Sequence, residues 1–233
     1  MAGIKIKFLG HAGFKITSLE GKILFIDPWL SGNPLAPVSV DEIDKADFVL
    51  VTHDHFDHMG DAPQIIQATG ATLICMPETI ERLIMKSEIQ DSQVIFGMGM
   101  NIGGTANLDG ISITMTQAFH SAQSANPAGF IIKLENGFTI YHAGDTGVFA
   151  SMKTLGDIYK PDLAMLPIGN IFTMDPVQAA YAAGLLGAGI VVPMHYGTFP
   201  VLEQDPLSFI EIMKKDAPDK EVIIIEPGQE IDF

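Results

Sequence analysis

Cysteine is almost missing from this chain of 233 residues, since Cys75 is the only one. A single thiol can form neither an internal disulfide nor a cysteine-based zinc site. Because Cys75 lies in the apolar run Leu73-Ile74-Cys75-Met76, we interpret it as the buried thiol of a strand. The sequence also lacks the Gly-x-Ser-x-Gly nucleophile motif, the phosphate-binding Walker loop and a complete dinucleotide fingerprint, which excludes the common forms of those chemistries.

Basic residues are scarce as well. The chain has 13 Lys and Arg against 28 Asp and Glu, which gives a net charge of −15. A protein of this charge repels phosphate backbones and anionic membranes. We therefore expect a small-molecule substrate as its partner, rather than a long nucleic acid or a membrane. The sequence leaves homo-oligomer formation open.

No apolar run is long enough to cross a bilayer. The longest, roughly residues 179–194, is interrupted by three glycines and a proline. The first ten residues alternate Lys with apolar side chains and lack the apolar core of a signal peptide. We expect a soluble, cytoplasmic protein.

Two kinds of strand signal alternate along the chain. Alternating apolar residues and Asp-Gly or Asn-Gly dipeptides predict antiparallel strands at 4–9, 14–19, 22–26, 107–108, 111–116, 130–134 and 138–141. Short apolar runs predict buried strands at 48–51, 73–76, 163–166, 190–192 and 222–225. Helix-like segments lie between them, at 61–69, 77–86, 176–186 and 206–215. We predict an α/β (α+β) fold of two face-to-face sheets with helices outside, in one domain over residues 1–233.

The segment THDHFDHMGD, from Thr52 to Asp61, holds three of the seven histidines and three aspartates. It directly follows the predicted strand 48–51. Further polar side chains follow later predicted strands, namely His120, His142, Asp145 and His195. Loops at strand ends are held in fixed relation by the sheet, and functional sites are commonly built there. This pattern predicts a metal site.

The spacing divides the candidate ligands into two sets. His53 and His55 are two residues apart and point the same way if the backbone is extended. Asp57 and His58 are adjacent and cannot share that direction, so we assign them to a second ion. The predicted ligands are His53, His55 and His120 for the first ion and Asp57, His58 and His195 for the second, with Asp145 bridging both. Imidazole and carboxylate without thiolate suit two divalent ions of zinc, manganese, iron or nickel, and we favour zinc.

The motif His-x-His-x-Asp-His, with His120, Asp145 in HAGDTG and His195 in PMHYGTFP, resembles the metallo-β-lactamase superfamily over nearly the whole chain. The stretches GHAGF at 10–14, FIDPW at 25–29 and HYGTFP at 195–200 are similar to small metal-dependent hydrolases related to ascorbate-phosphate lactonases. The resemblance implies a four-layer αβ/βα sandwich with a dinuclear site at the edge of the sheets. It further implies that Asp27 supports a ligand imidazole and that His11 contacts substrate or donates a proton.

Some of these residues have a structural interpretation beside the functional one. His11 lies in a tight Gly-His-Ala-Gly turn, and Asp27 and Asp145 lie in sequences that favour turns. We leave His142 outside the ligand set, because strand alternation turns it away from Asp145. The sequence assigns no role to His142, Tyr196 and Thr198.

The resulting hypothesis is a metal-dependent hydrolase that activates water against a small ester, lactone or phosphodiester. Asp57 or a metal-bound water is the predicted proton shuttle, and His11 is the predicted donor to the leaving group. One alternative is an iron-dependent, dioxygenase-like redox enzyme on the same fold. The flavin-partnered diiron branch is disfavoured, because a Glu usually stands there where this chain has His55, but a mononuclear iron dioxygenase stays open. A ribonuclease-type phosphodiesterase is disfavoured by the acidic charge, and a non-catalytic metal-binding module by the full ligand set.

Overall fold

A computed structural model of the chain describes residues 3–86 and 88–233. The chain forms two compact units, each built around one mixed sheet. The first unit comprises Met1–Gly104, Ser121–Pro127 and Ile225–Phe233, and the second comprises Thr105–His120 and Ala128–Ile224. The single domain over residues 1–233 stays a prediction.

The sheet of the first unit has six strands in the order β13-β1-β2-β3-β4-β5. They are β1 (Lys5–Gly10), β2 (Gly13–Thr17), β3 (Ile23–Ile26), β4 (Phe48–Leu50), β5 (Thr72–Ile74) and β13 (Glu230–Asp232). The first three form an antiparallel meander, in which Ile6 pairs with Ile16, and β3, β4 and β5 then run parallel. The helices of this unit are α1 (Phe56–Met59), α2 (Ala62–Thr69) and α3 (Pro77–Met85). Both α2 and α3 carry a proline in the first two helical positions, where the missing N–H costs no hydrogen bond.

The sheet of the second unit has seven strands in the order β12-β11-β10-β9-β8-β7-β6. They are β6 (Thr105–Leu108), β7 (Ile111–Gln117), β8 (Ala128–Lys133), β9 (Thr139–His142), β10 (Leu163–Pro167), β11 (Ile190–Met194) and β12 (Glu221–Val222). Strands β6 to β9 are antiparallel and β9 to β12 are parallel. Its helices are α4 (Met152–Tyr159), α5 (Pro176–Leu186) and α6 (Leu207–Asp216). Each unit therefore has an antiparallel meander followed by parallel strands that alternate with helices.

Apolar side chains fill the interior of each unit. In the first unit, β3 to β5 and the helices α2 and α3 bury a cluster that includes Phe25, Val49, Ile66, Leu73 and Leu83. In the second unit, α5 packs against α4, α6 and β10. Removing this much apolar surface from water is the main favourable contribution to folding. Among the described residues, no helix is long and apolar enough to span a membrane.

Some sequence predictions differ from the structure at particular elements. Helices α1 and α4 and strand β13 were not predicted. The predicted strand 222–225 shares only Val222 with the observed β12, which is Glu221–Val222. The hairpin between β6 and β7 has the predicted turn, in which Asp109 and Gly110 both take positive φ angles of 47° and 85°.

Candidate metal centre

The His-x-His-x-Asp-His motif leaves the end of β4 and enters α1, all within the first unit. His55 has an extended backbone, with φ −68° and ψ 151°, and is the N-cap of α1. The nitrogen atoms His53 Nε2 and His55 Nδ1 lie 3.0 Å apart. The two imidazoles therefore converge, as the spacing predicts, and this separation suits two ligands of one cation.

Hydrogen bonds fix which nitrogen of His53 carries its proton. The hydroxyl of Thr52 donates to Asp27 Oδ2 over 2.6 Å. A hydroxyl has only one hydrogen, so Thr52 Oγ1 must accept from Nδ1 of His53, which is 3.0 Å away. His53 is thus protonated at Nδ1, and its Nε2 presents a lone pair on the side of His55.

Asp27 holds a second imidazole as well. Its Oδ2 lies 2.8 Å from Nδ1 of His58, and its Oδ1 accepts the backbone N–H of Thr52 over 2.8 Å. Asp27 and His58 are fully buried. Asp27 therefore contacts the imidazole of a predicted ligand, and this contact leaves Nε2 of His58 as the atom that could coordinate a metal.

His11 joins the second predicted ligand pair. Its Nε2 lies 3.2 Å from Asp57 Oδ2, and its ring packs edge-on against Trp29 with centroids 5.2 Å apart. The ligand atoms of His11, Asp57 and His58 lie within 4.8 Å of one another. His11 is fully buried and has a φ of 59°, a strained backbone of the kind that clusters at functional sites. Its position fits a proton donor beside Asp57 and equally fits a metal ligand, a role that the sequence did not suggest.

In the second unit, Asp145 lies between two histidines that the sequence assigns to different ions. Its Oδ2 is 3.1 Å from His195 Nε2 and 3.5 Å from His120 Nε2. The three residues follow β9, β11 and β7 respectively. His195, with a φ of 60°, packs on Gly169, where an added Cβ would stand 2.1 Å from the His195 carbonyl oxygen. Only glycine leaves room for this arrangement.

Thr146 ties the loop of Asp145 to the loop of His120. Its buried hydroxyl accepts the backbone N–H of Phe119 over 2.9 Å and donates to the carbonyl of Gly147 over 2.6 Å. Gly147 N–H in turn donates to the carbonyl of Phe119 over 3.1 Å. The neighbours of two predicted ligands, His120 and Asp145, are therefore fixed to one another by hydrogen bonds.

The other residues in question lie close to the ligand-bearing loops of the second unit. His142 is fully buried in β9, and its Nδ1 accepts the backbone N–H of Gly144 over 3.2 Å. It therefore shapes the loop that carries Asp145. Tyr196 is half-buried and Thr198 is buried, both in the loop that follows His195.

Each unit thus gathers its share of the predicted residues. The first unit brings together His11, His53, His55, Asp57 and His58, and the second brings together His120, Asp145 and His195. The sequence model of the β-lactamase superfamily domain matches residues 22–196, which is most of the chain. The chain belongs to the metallo-β-lactamase superfamily.

Relatives and solved structures agree with this membership. A UPF0173 metal-dependent hydrolase from Nitratidesulfovibrio vulgaris is 49% identical over 227 residues, which cover 97% of this chain and 94% of the relative. One from Caldivirga maquilingensis is 47% identical over 224 residues, with coverages of 96% and 95%. The structure of Igni18, a metallo hydrolase from the archaeon Ignicoccus hospitalis, has a TM-score of 0.89 at 39% identity and covers 100% of this chain and 99% of its own. The predicted family, fold class and enzyme class, a metal-dependent hydrolase, are confirmed.

The donor set of this superfamily member fits a divalent metal. Buried imidazoles and carboxylates are suitable ligands for zinc, manganese, iron and nickel. A carboxylate behind a ligand imidazole, as Asp27 stands behind His58, fixes the tautomer and raises ligand basicity. The chemistry of the residues therefore agrees with metal dependence.

Sequence reasoning missed three residues whose hydrogen bonds hold the loops of the predicted ligands, namely Thr52, Asp54 and Thr146. Each is next to a predicted ligand in the sequence, which is the signal that could have found it. Burial alone would raise the pKa of the Asp54 carboxyl, but hydrogen bonds from Ser124 and Gln123 and the charge of Arg82 hold that pKa below its usual range. Asp54 is therefore ionised at neutral pH.

Proposed function

We propose that the chain hydrolyses a small ester, lactone or phosphodiester at a dinuclear metal centre. The first ion is assigned to His53, His55 and His120, the second to Asp57, His58 and His195, and Asp145 is assigned to both. The observation that carries this proposal is the position of Asp145, whose Oδ2 is within 3.5 Å of His120 and His195. A carboxylate placed between ligands of different ions is suited to bridging them.

The first unit supports two neighbouring ions as well. The rings of His53 and His58, which are assigned to different ions, have centroids 4.2 Å apart. The carboxylate of Asp27 orients both rings. It contacts the His58 ring directly and the His53 ring through the hydroxyl of Thr52. Ligands that share one support cannot be far apart, so their ions would be neighbours.

Two divalent ions in such a centre supply Lewis-acid polarisation of the scissile group and activation of water at neutral pH. The protein supplies binding and proton transfer. Asp57 and His11, in contact at 3.2 Å, are a carboxylate–imidazole pair through which a proton can pass to the leaving group. Trp29 packs against the His11 ring and shields it from water.

The substrate class follows from charge and ligand chemistry. With a net charge of −15, the chain repels the successive phosphates of a nucleic acid, which a nuclease binds along a basic track. A small neutral or anionic metabolite fits better. Tight, salt-sensitive binding of RNA would contradict this part of the proposal.

The test is elemental analysis of the purified protein, followed by removal of metal with a chelator and a hydrolysis screen with each metal restored. We expect two ions per chain, zinc in preference to the others, and turnover of a lactone or phosphodiester that disappears with the metal. Iron with oxygen consumption and no hydrolysis would favour the redox alternative instead.

The bridging role is tested by Asp145→Ala, which should lower metal content and turnover together. Asp175→Ala is the matched control, because Asp175 caps α5 through the N–H of Gln178. It should cost about 1 kcal/mol of stability and leave metal content unchanged. An Asp145→Ala protein that keeps both ions and full turnover would refute the bridge.

A further inference from the structure

Asp54 stands between the two converging histidines of the motif, but its side chain serves a different set of contacts. It is 2% exposed, and its two oxygens receive hydrogen bonds from four donors. Oδ1 accepts the N–H groups of Gln123 at 2.7 Å and Ser124 at 3.4 Å. Oδ2 accepts the hydroxyl of Ser124 at 2.5 Å and lies 3.1 Å from Arg82 Nη2. With both oxygens occupied in this way, Asp54 does not compete with its neighbours for a metal.

The donors come from two separate parts of the first unit. Arg82 lies on α3, and its Nη1 donates to the side-chain oxygen of Gln123 over 3.3 Å. Thr79, one turn earlier on the same helix, is hydrogen-bonded to the hydroxyl of Ser124 over 3.1 Å. Helix α3, the motif and the segment Ser121–Pro127 are thus joined in one closed polar network around a single carboxylate.

The residues of this network are adjacent in sequence to the three ligands proposed for one ion. Asp54 is flanked in sequence by His53 and His55, and Ser121–Pro127 begins one residue after His120. These three histidines are the ones assigned to the first ion. None of the four donors to Asp54 belongs to Asp57, His58 or His195, which are assigned to the second ion.

We propose that Asp54 is a positioning residue for the first ion, which it serves by holding the backbone of His53 and His55 to the segment that follows His120. This inference rests on the proposed dinuclear centre. The buried contact of Asp54 with Arg82 is not explained by stability alone, because an apolar replacement of such a network is often as stable. We infer that the network serves to position the ligands, since metal ligands need to be held within a few tenths of an ångström.

The test is a metal titration of the metal-free protein, with zinc or cobalt, in which the two ions are resolved by calorimetry. Asp54→Asn keeps the size of the side chain but removes its charge and one acceptor oxygen. We expect the dissociation constant of the first ion to rise about 10- to 100-fold, while that of the second ion stays unchanged. Circular dichroism should show a native fold.

Two further variants keep the result interpretable. Ser124→Ala removes one donor from the network. It should also raise the dissociation constant of the first ion, but by a smaller factor than Asp54→Asn. Asp47→Asn is the control, because Asp47 accepts the N–H of Ile23 over 2.8 Å in the same unit and does not contact the motif. It should leave both dissociation constants at their wild-type values.

The outcomes separate this inference from the proposed function. Suppose that the wild type binds two ions. If a folded Asp54→Asn protein binds both ions with unchanged affinity, or binds both more weakly by the same factor, the inference about Asp54 is wrong. The dinuclear centre is then unaffected. If Asp54→Asn does not fold, Ser124→Ala decides by the same criterion. A wild type that binds fewer than two ions overturns the dinuclear centre, and the inference with it.

Discussion

At the scale of single residues, one carboxylate organises a large part of the candidate centre. Asp27 accepts from the backbone and hydroxyl of Thr52 and from the ring of His58. Through Thr52 it also sets the tautomer of His53. Its own backbone has a φ of 45°, a conformation that costs a non-glycine residue free energy and persists only where its surroundings fix it.

Asp27→Asn should weaken the binding of both ions, whereas Asp54→Asn is expected to weaken the binding of the first ion alone. An amide has one acceptor oxygen, so it cannot receive all three donors, and one of them is left buried without its hydrogen bond. We expect both dissociation constants to rise about 10- to 100-fold in the metal titration. Asp162→Asn, which alters a carboxylate that accepts the N–H of Thr139, should change neither. Unchanged affinity in a folded Asp27→Asn protein would show that the imidazoles hold their orientation without it.

At the scale of elements, the sequence predicted those features whose signals are local. The hairpin at Asp109-Gly110 needs positive φ at two successive positions, and Asp and Gly are residue types that predict such a turn. The converging pair His53 and His55 follows from extended backbone alone, without knowledge of the rest of the fold. Such features need no long-range information.

Elements that depend on distant partners were missed. Helix α4 contains Gly156, a weak helix former, but an added Cβ there would stand 2.3 Å from the carbonyl oxygen of Leu186. Packing against α5 therefore requires the residue that lowers helix propensity. Strand β13 is short and polar, and its pairing with β1 joins residues more than 200 positions apart. The supports Thr52 and Thr146 were missed for the same reason, since their partners lie 25 or more positions away.

The Thr146 hydroxyl gives a test of how one element holds another. Thr146→Val keeps the shape but removes the acceptor for Phe119 N–H, so we expect a loss of about 1–3 kcal/mol in the free energy of unfolding and weaker metal binding. Urea unfolding and metal titration measure the two effects. Thr139→Val removes a hydroxyl that donates to Gly137 in a turn of the same unit, and it should leave metal affinity unchanged. If both variants bind metal equally well, the connection between the loops does not position the ligands.

At the scale of the whole molecule, the free energy of unfolding depends on groups that ionise only after unfolding. Cys75 is 1% exposed. Burial raises the pKa of its thiol above the usual range, and the nearby charge of Asp54 raises it further, against a smaller opposite effect of Arg82. Burial likewise raises the pKa of Tyr141. The folded protein therefore keeps both protons at a pH where the unfolded chain loses them.

The sign of the pH dependence follows from this difference. Above about pH 8.5, the usual pKa of a thiol, the unfolded chain binds fewer protons than the folded protein, so stability falls as the pH rises. The slope from Cys75 is at most about 1.4 kcal/mol per pH unit, and Tyr141 adds to it only above about pH 10. Cys75→Ser removes the ionising group, so between these pH values its unfolding free energy should fall less steeply than that of the wild type in urea titrations. Because a buried hydroxyl lowers stability at every pH, the quantity to compare is the slope of the unfolding free energy against pH. Equal slopes for the two proteins would mean that the thiol ionises as readily in the folded protein as in the unfolded chain.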